Sequence, residues 1–299
     1  MPSSTPELNG NLPPPRGASL LLDIRQLETS IAQGDELLAP LKDALLAADE
    51  LLAEKFWQDE PVDQLVRSRA WLVEQLLLMA WQELMPADET VALVAVGGFG
   101  RGELHPHSDV DLMVLLRSED PTGALKLSVE RFLTLCWDVG LYLGHSVRTP
   151  GECRRQAEAD ITTATTLMEA RLLAGPQDLL ATMEDLVNPP AVWPADRFFA
   201  EKRKEQEARH HRYEDTAYPL EPNVKGSPGG LRDIQMIGWV AQRHFGGRTL
   251  DELVAHGFLT PGQLRILKDG REFLWRVRFG LHVMTGRRED RLLFDHQTN

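Results

Sequence analysis

Two aspartates, Asp109 and Asp111, interrupt an apolar run in VALVAVGGFGRGELHPHSDVDLMVLL (91–116), shortly after the paired glycines Gly97 and Gly98. Isolated carboxylates are costly to bury, so a positive group is expected beside them. On a β-strand, side chains two residues apart share a face, and a rise of about 3.3 Å per residue sets their Cα atoms roughly 6.5 to 7 Å apart. Both carboxylates can therefore converge on one cation. Oxygen-only ligands suit Mg²⁺ or Mn²⁺, which keep several waters and share the other positions with substrate phosphates. A nucleoside triphosphate is the matching third party. A glycine pair directly after a strand lets bare backbone N–H groups approach phosphate oxygens. Arg101 lies in the same turn, and Ser108 directly precedes the acids.

Each part alone has a plainer explanation: a glycine pair after a strand is ordinarily a tight turn, and an Asp-x-Asp often sits on a solvated edge. The combination is more specific, because Val110, Leu112, Val114 and Leu115 make the run core-like around the acids.

The elements that must position these residues follow from periodicity. Residues 91–96 (VALVAV), 110–116 (VDLMVLL) and 141–148 (LYLGHSVR) read as strands, with a helix over 123–138 between the last two. From about 18 to 85 the pattern is helical, with Leu72, Leu76, Met79, Ala80 and Leu84 recurring along one face. Beyond Pro150 the chain reads as helical almost throughout, interrupted at NPPAVWP (188–194), YPLEPNVKGSPGG (218–230) and GGRT (246–249). Residues 1–17, with five prolines, read as a loose arm outside the fold. The expected organisation is α+β: a small mixed-sheet core with N-terminal helices over 18–150, then an all-helical domain over 151–299.

The 299 residues are 42% hydrophobic, enough for one or two ordinary cores. A net charge of −13 argues against a nucleic-acid-coating protein, so no DNA partner is expected. No apolar stretch approaches the roughly 20 residues that span a bilayer, and no signal-peptide pattern opens the chain, so no membrane is expected either. Cys136 and Cys153 lack metal-type spacing, which makes a reducing, cytoplasmic setting the simpler reading.

With these residues in hand, GGFGRGELHPHSDVDL resembles the signature of DNA polymerase beta-like nucleotidyltransferases, in the version carried by bacterial PII uridylyltransferase/uridylyl-removing enzymes. EPNVKGSPGGLRDIQ (221–235) resembles a second stretch of that family, and the likeness runs from about residue 40 to GRREDRLLFDHQ (286–297). It implies transfer of UMP from UTP to a tyrosine of the PII signal protein, with loss of pyrophosphate, in nitrogen signalling. It implies that Asp109 and Asp111 carry the catalytic Mg²⁺ or Mn²⁺, and that Gly97, Gly98 and Ser108 hold the triphosphate with Arg101 assisting. This superfamily usually adds a third carboxylate from a neighbouring strand; 141–148 holds no acid, which leaves Asp138 as the nearest candidate. Lys225 and Arg232 flank a Pro-Gly-Gly turn at a helix start, where an anion such as the nucleotide finds cations and N–H groups together. The alternative there is a structural turn, with Arg232 and Asp233 capping the helix and Lys225 solvated. The family's second stretch reads Lys-Glu-Gly-Pro-Gly-Gly, whereas Gly226-Ser227 follow Lys225 in this chain.

The family continues into a metal-dependent HD hydrolase domain and two ACT domains. The chain has no His-Asp dipeptide and reads as an N-terminal fragment, so uridylyl removal is not expected of it. An adenylyltransferase acting on a protein, or a catalytically silent nucleotide-binding module, are the competing classes. His105 and His107 read as exposed loop histidines, the pair His210-His211 as part of a solvated helix face, and Cys136 as core.

Overall fold

The computed structural model describes residues 12–33, 36–86, 89–188, 191–214, 220–246 and 250–297. Four helices come first: α1 (Ala18–Leu21), α2 (Ile24–Gln33), α3 (Leu38–Trp57) and α4 (Val62–Leu84). Then follow β1 (Val91–Ala95), the one-turn helix α5 (Gly97–Gly100), β2 (Val110–Leu116), α6 (Gly123–Val139) and β3 (Leu143–Arg148). After them come α7 (Pro150–Ala159), α8 (Ile161–Met168), β4 (Arg171–Ala174) and α9 (Gln177–Val187). The rest is helical: α10 (Ala195–Glu214), α11 (Leu231–Phe245), α12 (Leu250–Ala255), α13 (Pro261–Thr285) and a 3₁₀ turn, Phe294–His296. The chain divides into two compact units, Met1–Gln156 with Thr166–Val187, and Ala157–Thr165 with Asn188–Asn299.

In the first unit one sheet runs in the order β3-β2-β1-β4. β1 is antiparallel to both β2 and β4, whereas β2 is parallel to β3. All of β1 and nearly all of β2 is buried, which is why both read as continuous apolar runs rather than as alternating ones. β3 is a half-exposed edge. β4 departs from the near-continuous helix expected past Pro150. Its four residues, RLLA, are too short to show a period, and antiparallel pairing with β1 makes them a strand.

α4 also exceeds its expectation. Leu72, Leu76, Met79 and Ala80 are buried as anticipated, but the helix is enclosed nearly all round, Arg69 and Glu74 included. It packs against α3, α6 and β4, so its polar face has no solvent to turn to. Arg69 is therefore neutralised internally, donating to both carboxylate oxygens of Asp49 at 2.8 and 3.0 Å and to the His105 carbonyl at 3.2 Å. Thr122 caps α6 at its start and Gly140 ends it, while Trp81 meets Phe132 edge-on with ring centres 5.1 Å apart. Of the expected loose arm, residues 1–11 lie outside the described residues. Residues 12–17 belong to the fold, since the Leu12 N–H donates to Glu74 Oε1 at 3.3 Å.

In the second unit α10 packs on α11, and both α11 and α12 pack on α13. α13 opens with a reciprocal capping box between Thr260 and Gln263, with Pro261 in its first turn. Its only extended pairing among the described residues is an isolated bridge, Asn223 with Arg291. Among the described residues no helix is long and apolar enough to cross a membrane.

Candidate active site

The chain leaves β1 at Val96 and turns sharply at Gly97, whose φ of 58° is a left-handed value that a side chain would strain. Val96 N–H donates to the Asp111 carbonyl at 3.0 Å, tying the start of the turn to β2. The turn closes on itself: Gly100 N–H reaches Val96 O at 2.9 Å, Arg101 N–H reaches Gly97 O at 3.2 Å, and Glu103 N–H reaches Gly98 O at 2.9 Å. The N–H groups of Gly97, Gly98 and Phe99 have no acceptor among the described residues.

Asp109 is exposed just before β2, and Asp111 is half-buried on it. In the parallel pairing Asp111 stands opposite Gly144 of β3. A Cβ at Gly144 would lie 2.4 Å from Asp111 Oδ1, and one at Gly97 would lie 2.9 Å from Oδ2. The carboxylate therefore occupies a slot that two glycines leave open, one on each side. Ser108 Oγ is buried without a hydrogen-bond partner among the described residues, an orphaned donor next to the acidic pair. All-oxygen donors and an orphaned hydroxyl fit a divalent cation with a phosphate.

The other expected members fare differently. Asp138 is exposed on α6, in a surface groove with Leu38, Glu130 and Arg131. Among the described residues no three His, Cys, Asp or Glu side chains gather as a metal-holding group. The structure thus leaves Asp138 apart from the pair, because the face of α6 that carries it looks onto the start of α3. Arg101 donates to Glu103 at 2.8 Å and to Glu169 at 2.5 Å. Burial alone would lower its pKa, but those two carboxylates raise it above the ordinary value. Its charge is compensated by these two carboxylates, and the pairing ties the turn to Glu169. His105 is buried, not an exposed loop residue. His107 has a φ of 54°, and its ring centre is 6.4 Å from that of Tyr142. Cys136 packs as expected, and burial pushes its thiol up to about 12.

In the second unit the loop before α11 is saturated by its own groups. Asn223 Oδ1 accepts from the N–H groups of Lys225 (3.1 Å) and Gly226 (2.7 Å). Ser227 N–H donates to Asn223 O, Gly230 N–H to Ser227 O, Leu231 N–H to Val224 O and Arg232 N–H to Lys225 O, all within 2.8–3.0 Å. Gly229 N–H donates to Asp233 Oδ2 at 2.8 Å. The N–H groups expected to greet an anion are thus consumed internally, and only side chains remain for that purpose. Arg232 donates to Gln235 Oε1 at 3.1 Å and lies 5.4 Å over the Trp239 ring. Lys225 is half-buried, not solvated; desolvation first, then Arg278 and Arg232, bring its pKa down to about 8 against the opposing pull of Asp290. The Gly226 departure has a steric reason, since a Cβ there would fall 2.7 Å from the Tyr213 ring.

Two carboxylates anchor this unit, and the sequence pointed to only one of them, Asp233, as a helix cap. Asp233 accepts from Gln206 (2.9 Å), Arg209 (2.5 Å) and His210 (3.0 and 3.1 Å), so His210 is not on a solvated face. Arg278 donates to Asp290 Oδ1 at 2.7 Å, and fully buried His282 sits 3.2 Å from the same oxygen. Burial pushes the Asp290 carboxyl up, but His282, Arg278 and Lys225 hold it well below the carboxylate range. Partners this far apart along the chain leave no periodic trace.

Residues 77–161 match the family model of the nucleotidyltransferase domain, and residues 197–299 match that of GlnD PII-uridylyltransferase. Bifunctional uridylyltransferase/uridylyl-removing enzymes from Pseudomonas putida, Pseudomonas fluorescens and Pseudomonas aeruginosa are 48%, 49% and 49% identical to this chain over 278 residues. The match covers 93% of this chain and 31% of each relative, so the chain spans about a third of the length of the curated relatives it matches.

Proposed function

Starting from a chain that carries a nucleotidyltransferase domain and belongs with the uridylyltransferase/uridylyl-removing enzymes over the stretch it shares with them, we propose that it transfers UMP from UTP to a tyrosyl hydroxyl of a PII-type signal protein. The observation that carries this reading is the Asp111 carboxylate seated between Gly97 and Gly144, beside a turn with three unclaimed N–H groups. Asp109 and Asp111 are the residues that would hold a divalent cation, Mg²⁺ or Mn²⁺. When bound, such an ion neutralises charge on the triphosphate and on the leaving pyrophosphate.

The chain's own groups do the rest. The N–H groups of Gly97, Gly98 and Phe99 and the Ser108 hydroxyl hold phosphate oxygens, so the α-phosphorus is presented in line with the acceptor. The tyrosyl oxygen forms a bond to the α-phosphorus as the bond to the β-phosphate oxygen breaks, and pyrophosphate departs. The tyrosyl proton passes to a carboxylate of the pair, with Asp109, the exposed member, the one open to the acceptor. The relatives' second activity, uridylyl removal, lies outside this reading.

The test is incubation of the chain with a PII-type protein, Mg²⁺ or Mn²⁺, and each α-phosphate-labelled nucleoside triphosphate in turn. Label from UTP on a tyrosine, with one pyrophosphate released per label, is expected. Label from ATP instead makes the chain an adenylyltransferase, and label from none makes it a binding module.

A further inference from the structure

We infer that Arg171 is a positioning residue that, anchored by Glu74, sets the direction of the Gly97 and Gly98 N–H groups; the inference rests on the nucleotide-binding reading of that turn. Arg171 projects from β4 and engages three partners with one planar guanidinium. Nε donates to the Gly100 carbonyl at 3.1 Å, and Nη2 donates to the Phe99 carbonyl at 3.2 Å. Nη1 faces Glu74 Oε2 at 2.6 Å, as an ion pair rather than an aligned hydrogen bond. Glu74 is fully buried on α4, so the pair is the charge balance that admits an arginine to this place.

Peptide planarity carries the effect through the turn. The Phe99 carbonyl shares a rigid plane with the Gly100 N–H, which donates to Val96 O; that carbonyl in turn shares a plane with the Gly97 N–H. The Gly100 carbonyl shares a plane with the Arg101 N–H, which donates to Gly97 O, and that carbonyl shares a plane with the Gly98 N–H. Each carbonyl that Arg171 holds is thus one hydrogen bond from a plane whose N–H has no acceptor of its own among the described residues. Two further contacts clasp the turn from the same segment: Arg101 reaches Glu169, and a Cβ at Gly100 would lie 1.9 Å from the Glu169 carbonyl. The stretch 169–171 is therefore pressed directly on the turn, with no side chain between them. A planar fork is needed, since a lysine ammonium cannot span two carbonyls and a carboxylate in this arrangement.

The experiment compares the wild-type chain with Arg171→Lys and Glu74→Gln by thermal melting, calorimetric UTP titration in Mg²⁺, and amide hydrogen exchange at Gly100 and Arg101. Arg171→Lys keeps a cation beside Glu74 and gives up the two-carbonyl clasp. It is expected to fold, to exchange faster at both amides, and to bind UTP about tenfold more weakly, the loss of roughly one hydrogen bond to a charged group. A purely structural role lowers the melting temperature and leaves the affinity of the folded protein unchanged, so wild-type affinity in folded Arg171→Lys overturns the inference. If that variant does not fold, Glu74→Gln decides, because it keeps the clasp and loosens its anchor. Faster exchange with weaker UTP binding supports the inference, and no change in either overturns it. A wild-type chain that binds no UTP removes the nucleotide reading along with it, whereas a binding wild type with an equally binding Arg171→Lys removes the inference alone.

Discussion

At Gly97–Gly100 the first three N–H groups have no acceptor among the described residues, and of the two aspartates Asp111 stands on the strand that returns past them and Asp109 just before it. At Lys225–Arg232 every backbone N–H is taken, by Asn223, Ser227, Val224, Lys225 or Asp233. Both stretches are glycine-rich, both open a helix, and each has a basic residue in it or, as with Arg101, directly after it. Glycine content and charge therefore do not tell a turn that can receive phosphate from one that has closed on itself. What separates them is whether acceptors lie inside the turn. The first has a strand before it and no counterpart of the Asn223 and Asp233 carboxamide and carboxylate oxygens that satisfy part of the second. The arginine of the first, Arg101, is spent on Glu103 and Glu169, while the lysine of the second keeps a charge weakened by burial.

The largest effect should come from the acids of the first turn. Asp111→Asn, and separately Asp109→Asn, are expected to lower transfer at least about a hundredfold, the scale of losing one preorganised charge-stabilising group. Melting temperatures should stay close to wild type, since Asp109 is exposed. Transfer within a few-fold of wild type in both variants would break the contrast between the turns.

The second turn should answer in stability. Asp233→Ala removes the acceptor of four neighbours and is expected to cost about 2 to 3 kcal/mol, read by denaturant unfolding. Burial pushes the Asp233 carboxyl up, but its bonds from Gln206, Gly229, His210 and Arg209 bring it below the ordinary value. That contribution is present above the unfolded carboxylate pKa of about 3.9 and is lost as pH falls through the lower folded value. An Asp233→Ala chain as stable as wild type at pH 7 would refute the anchoring role.

A sharper probe of the first turn is Gly144→Ala. The new methyl would meet Asp111 Oδ1 at 2.4 Å, and Gly144 has no left-handed backbone to strain. The aspartate must swing away, so metal-dependent UTP affinity should fall about tenfold, or roughly 1.4 kcal/mol, with the fold intact. Calorimetric titration showing unchanged affinity would mean that the slot between the glycines does not set the carboxylate.

The smallest effect is expected at Lys225. With the loop's N–H groups consumed, only its side chain can attract phosphate, and Lys225→Met should weaken UTP binding by about fivefold at pH 7, below the 1.5–3 kcal/mol of a full hydrogen bond to a charged group. The difference should fade as pH rises past about 8, where Lys225 loses its proton. Stability runs the other way. The cost of burying the charged form is full below about 8 and is relieved between there and the ordinary 10.5, so wild-type stability gains over Lys225→Met in that window. Equal affinities across the whole pH range would leave the second turn purely structural.

By itself the amino-acid sequence determined the parts whose physics is local. Strands β1 and β2, the glycine pair and the Asp-x-Asp follow from runs of a few residues, although Asp109 falls just before β2, where the two-residue period of a strand no longer fixes its side. The helices up to Leu84 followed from their repeat in the same way. Only the tertiary structure decided what those parts meet. β4 is a strand because β1 offers it a ladder, and Gly144 matters because parallel pairing sets it opposite Asp111. Arg171 reaches carbonyls 71 and 72 positions away, Arg101 reaches Glu169 across 68, and Gln206, Arg209 and His210 reach Asp233 across 23 to 27. Such pairings depend on where distant segments are packed, and a charge's partner at that separation leaves no mark on spacing or period.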